Sequence, residues 1–189
     1  MKKNTFITLL SLLSLSLIIL SCKKNKDEAP TPQNPNEQEQ ITTLHLIVKE
    51  GTTVIDTFTF RDVDGPGGNA PSIETINLLA NKNYNARLLL LDESKMPIDT
   101  ISKAIKEERN AHQFFFYPSA AGVNIAYNDA DDHGVPVGLE ILLNTGAASS
   151  GNLHIVLKHQ PNVKPTTGQG DASLGATDID VTMPVGIVN

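Results

Sequence analysis

The sequence predicts an all-β fold with one short helix: an antiparallel β-sandwich, immunoglobulin-like or barrel-like, of about eight or nine strands. Three observations predict it. From Ile41 onward apolar residues recur mostly at every second position, which puts them on one face of a strand. Clusters of Gly, Asn, Asp and Pro separate these runs. Residues 41–189 are also long enough to bury a core without disulfides or an obligatory metal, and the single Cys cannot pair within the chain.

The elements follow in order. Leu44, Leu46 and Val48 alternate with Thr43, His45 and Ile47. Residues 53–61 place Val54, Phe58 and Phe60 on one parity and Ile55, Thr57 and Thr59 on the other. Residues 72–79 and 83–92 continue as strands. Residues 100–111 break the rhythm: Ile101, Ala104, Ile105 and Ala111 fall at helical spacing with Lys and Glu between them, an amphipathic helix that Ser102 can cap weakly. His112-Gln113-Phe114-Phe115-Phe116-Tyr117 reads as a strand buried on both faces. Residues 123–127, 137–143, 151–159 and 177–185 complete the set. In 151–159, Leu153, Ile155 and Leu157 oppose His154, Val156 and Lys158; in 177–185, Ile179, Val181 and Met183 face one way. The stretch 160–176 is an irregular loop of a length associated with function or mobility.

The N-terminus sets an expected address. Lys2 and Lys3 precede an apolar run from Phe6 to Leu20. This is short of the roughly 20 residues of a membrane span and suits a signal-peptide core. Ile19-Leu20-Ser21-Cys22 resembles the bacterial lipobox, which implies cleavage before Cys22 and lipidation of its thiol. The expected organisation is a lipoprotein signal peptide (1–21), a lipidated Cys22 with a disordered tether rich in Pro, amide and charged residues (22–40), and the sandwich (41–189). Lys26-Asp27-Glu28 resembles the export signal of surface lipoproteins in the Bacteroidetes lineage. That implies a lipid-anchored protein of the outer membrane, exposed at the cell surface.

Lys plus Arg number 15 and Asp plus Glu 21, a formal −6; losing residues 1–21 removes Lys2 and Lys3 and leaves −8. With no Trp and 5% aromatics, this acidic body lacks the basic face and the stacking platform of a nucleic-acid binder. Lipid rather than charge is expected to hold it to the membrane, and stable anchoring needs more than one acyl chain.

Four groups of residues can carry chemistry. Asp129, Asp131, Gly134 and Glu140 fall at positions 1, 3, 6 and 12 of a calcium loop, whose converging carboxylates suit a hard cation. Against this, His133 stands at position 5, the flanks read as strands, and a polar hairpin turn explains the same residues. Asp62 and Asp64, in Arg61-Asp62-Val63-Asp64-Gly65, can likewise wrap a cation or simply turn the chain. Glu108 and His112 are four apart, so on a continued helix they share a face and can chelate a transition metal. His154 and His159 have opposite parity and cannot face one site; His159 shares the buried parity of Leu157, as a ligand or as a hydrogen-bonded core-edge residue. For nucleophilic catalysis the chain offers no Gly-x-Ser-x-Gly elbow, and the lipobox accounts for its only thiol.

Residues 138–161, with Arg61–Gly68 and the His112–Phe115 run, resemble a family of small lipoproteins of flavobacteria and relatives. Shared features are the lipobox, the tether, the Arg-Asp-x-Asp-Gly loop, His-Gln-Phe-Phe, and the Leu-Lys-His-Gln-Pro strand end at 157–161. The resemblance spans residues 41–185. Family members tend to carry Asn or Asp where His133 stands, a departure that weighs against calcium here. The expected function is a non-catalytic binding or accessory module beside an outer-membrane transporter. No cofactor is required, and a divalent metal (Ca²⁺ or Zn²⁺) is the ligand its residues can hold. The alternative is a structural or adhesive lipoprotein that recognises glycan or protein through its loops.

Overall fold

A computed structural model describes residues 39–189 with the exception of Pro66. The expected signal peptide, Cys22 and nearly all of the expected tether lie outside the described residues.

Among the described residues the alternating runs form ten strands. β1 (Thr43–Glu50) and β2 (Thr53–Arg61) make a hairpin across Gly51. β3 (Ser72–Ile73), β4 (Ile76–Leu79) and β5 (Asn83–Leu91) follow. Helix α1 (Ile101–Glu107) precedes β6 (His112–Pro118), β7 (Asn124–Tyr127), β8 (Glu140–Asn144), β9 (Ser149–His159) and β10 (Ala176–Val188). They build two sheets in a sandwich-like arrangement. One has six strands in the order β3-β2-β1-β5-β8-β7, and the other has four in the order β4-β10-β9-β6. Pairing is antiparallel except between β4 and β10, which run parallel.

Leu44, Leu46, Leu88, Leu90 and Ile141 of the six-stranded sheet join Phe114, Leu153, Ile155, Val181 and Met183 of the other in one buried cluster. Each such side chain contributes about 1.5–3 kcal/mol by leaving water. Ile101 and Ile105 of α1 are buried in the same cluster.

Three local expectations change. Residues 72–79 form two strands rather than one: β3 pairs with β2, and β4 crosses to the other sheet beside β10. The strand expected at 137–143 starts only at Glu140, because residues 129–139 are turned by carboxylates, as described below. The helix spans 101–107 and ends before Glu108, so His112 opens a strand instead of continuing a helix. Ser102 does not cap it; its Oγ accepts the Leu90 N–H at 2.6 Å and ties α1 to β5.

The loop after β9 is firmly held. The Gln160 amide donates to the carbonyls of Asp171 (2.6 Å) and Leu174 (3.0 Å), and the Gly170 N–H donates to Gln113 (2.9 Å). Gly175 adopts φ +76°, and a Cβ there would collide with the His159 carbonyl, so only glycine lets the loop return so close to β9. The loop covers Gln113 on the outer side of β6, and Phe115 on the same side is also buried. The expectation of a strand buried on both faces therefore holds for its first half, while Tyr117 is exposed.

Candidate functional site

β6 and β9 are neighbours, and their register places His112 directly opposite His159. Both side chains point inward, on the parity of Phe114 and Leu157. The rings stack with centroids 4.5 Å apart and planes 6° from parallel. The chain turns back at Glu108, whose carbonyl lies 3.2 Å from His112 Nδ1. Ligand atoms of Glu108, His112 and His159 all fall within 4.8 Å of one another. Glu108 and His112 thus meet as expected, but through a turn into a strand rather than along one helix face.

A fourth group joins them that the alternation conceals. The β9–β10 register shifts between Thr177 and Ile179, which leaves Asp178 as the extra residue of a β-bulge. Plain alternation would send Asp178 outward with Asp180; the bulge re-aims it into the protein. Its side chain is fully buried, as is that of His112, with Oδ2 3.5 Å from His112 Nε2. That separation is too long for a normal hydrogen bond. Among the described residues neither atom, nor the other Asp178 oxygen, has a hydrogen-bond partner of regular geometry.

Burial sets the charge states. It pushes His112 down to about 4, against the pull of the Glu108 carbonyl. It also lowers His159. It raises Asp178 to about 7, because the nearby Glu39 N–H and the Lys158 charge offset only part of the desolvation. At neutral pH both imidazoles are therefore uncharged, the form that binds metal. A crevice of about 320 Å³ lies beside His159, lined also by Pro161, Val163, Gly175 and Ala176.

Two imidazoles and a carboxylate match the donors of zinc-class ions better than the all-oxygen set of Ca²⁺. In a tetrahedral zinc site the ligand atoms stand about 3.3 Å apart. Here they lie within 4.8 Å of one another, so binding an ion requires the side chains to move closer.

The structure does not bring the other expected ligands to this cluster. Asp129 accepts backbone N–H groups from Gly138 (2.6 Å), Leu139 (2.9 Å) and Glu140 (3.1 Å). Asp131 accepts those of His133 and Val135, both at 2.9 Å, and pairs with Lys164 at 2.8 Å. Their carboxylates close a turn rather than converge on a point, in keeping with a polar hairpin turn. Asp62 accepts the Gly65 N–H at 3.0 Å, and Asp64 binds Asn69 through its backbone N–H (2.9 Å) and side chain (2.6 Å). His154 faces out, 2.7 Å from Asp180, in keeping with its parity.

The class that fold and site define is a two-sheet β-sandwich with a buried histidine–carboxylate cluster beside the start of β6. Comparisons with protein-family models, with curated proteins and with solved structures find no match.

Proposed function

We propose that this chain is a lipoprotein of the outer-membrane surface whose sandwich is a non-catalytic module handling a zinc-class metal ion, beside an uptake system. The observation that carries the metal reading is the convergence of Glu108, His112 and His159 within 4.8 Å. The register of β6 with β9 fixes it, and a crevice lies beside His159. The lipobox and the resemblance to flavobacterial lipoproteins support the address.

Isothermal titration of the purified mature chain tests the metal reading. Zn²⁺ is expected to bind with better than micromolar affinity. His112→Ala and His159→Ala are each expected to weaken it by about tenfold or more, since even a residue that only orients a ligand is worth that much. Absence of heat with Zn²⁺ and Cu²⁺ overturns it. Cys22→Ala tests the anchor separately, and the variant is expected to leave the membrane fraction.

A further inference from the structure

We propose that the crevice between α1, β5 and the 129–140 loop binds a small hydroxylated organic oxyanion, a sugar acid or a sugar phosphate. The crevice arises because β8 leaves β5. The two strands pair only from Asn83 to Arg87 on β5. Beyond that, the Leu88 N–H bonds the Leu139 carbonyl and the Leu90 N–H bonds Ser102 of α1. The space between holds about 360 Å³, within the range of roughly 300–1,000 Å³ of small-molecule sites.

Its walls are cationic in an acidic protein. Arg87, Lys103, Lys106 and Arg109 all line it, although the chain as a whole carries −6. Arg109 is held in place by Asp132 and by the Lys106 carbonyl. Lys103 sits 3.9 Å from Glu107. Arg87 and Lys106 make no ion pair or side-chain hydrogen bond among the described residues, so both are free to receive an oxyanion. Unpaired cations gathered in a concave site focus the field there and attract anions.

The remaining lining narrows the ligand. Of its two carboxylates, Asp129 is saturated by backbone amides. Glu140 carries no such load; it can accept from hydroxyls and disfavours a ligand charged at both ends. Leu89, Val137 and Leu139 provide apolar surface that a bare inorganic ion would not use. An oxyanion attached to a hydroxylated carbon frame fits all three.

The test is titration of the full-length chain in detergent with glucuronate, glucose 6-phosphate and glucose. One or both charged probes are expected to bind at submillimolar concentration, with glucose at least about tenfold weaker, and added salt is expected to weaken them. Binding of only one charged probe identifies the anion. The double variant R87A/K106A removes two exposed, unpaired side chains, so its melting temperature is expected to stay unchanged while affinity falls by about tenfold or more. The proposal is overturned if neither charged probe binds, if glucose binds equally well, or if binding survives in R87A/K106A.

Discussion

Asp131 and Asp178 both have side chains closed to solvent and lie on opposite sides of the charge question. Both side chains are at most 1% exposed. For Asp131 burial works to raise the pKa, but Lys164 and the amides of Val135 and His133 outweigh it, and the carboxyl ends below its ordinary range. For Asp178 burial wins, and the group rises to about 7. Asp131 is therefore a fixed anion that pins Lys164, and with it the loop after β9, to the 129–140 turn. Asp178 is a group whose proton is loosely held at neutral pH. Partners set against burial decide whether a buried carboxylate stabilises the fold or stays available for other chemistry.

The largest effect is expected at the paired carboxylate. Lys164→Met leaves Asp131 buried without its cation, which costs about 3–5 kcal/mol by analogy with other broken buried pairs. Urea unfolding at pH 7 checks this. A loss under about 1 kcal/mol would mean that water replaces the cation and that the two carboxylates are alike after all.

The next effect has the opposite sign. Asp178 has a folded pKa raised from 3.8 to about 7, so the stability tied to its neutral form is complete below about pH 4 and is lost as pH rises through 7. Asp178→Asn keeps the shape and removes the titration. With chelator present, it is expected to stabilise the chain by at most about 4 kcal/mol at pH 8 and by almost nothing at pH 4. His112 works the other way in the wild type, since its stability is lost as pH falls from 6.5 toward about 4. The difference between variant and wild type isolates Asp178. Destabilisation by Asp178→Asn at pH 8 would show an ionised, paired carboxylate and would erase the contrast.

The same contrast explains what the sequence reveals. Strand alternation is a local signal, so most strands and the inward parity of His159 can be read directly. Asp129 and Asp131 attract notice because acidic residues at calcium-loop spacing form a contiguous pattern, yet their function here is to receive amides of their own turn. The stacking of His112 on His159 depends on which strands are neighbours, and nothing within either strand encodes that. Asp178 is harder still. A bulge is one extra residue in a register shared by two strands, and Thr177-Asp178-Ile179-Asp180 reads as plain alternation when β10 is taken alone. The cationic crevice escapes notice for a similar reason, because Arg87 and Lys106 come from different elements and meet only where β8 departs from β5.

The smallest effect tests an exposed counterpart in the same sheet, between β9 and β10. His154 and Asp180 form the shorter contact, 2.7 Å against 3.5 Å for His112 and Asp178, and are 37% and 60% exposed. If short distance were what mattered, Asp180→Asn would be the costlier change. Solvent screening argues the reverse, since exposed ion pairs contribute about 0–1 kcal/mol. Asp180→Asn is therefore expected to shift stability by less than about 0.5 kcal/mol at pH 6, and less again in high salt. Urea unfolding at two salt concentrations measures it. A shift matching that of Asp178→Asn would show that proximity, rather than removal from water, governs the histidine–aspartate contacts of this sheet.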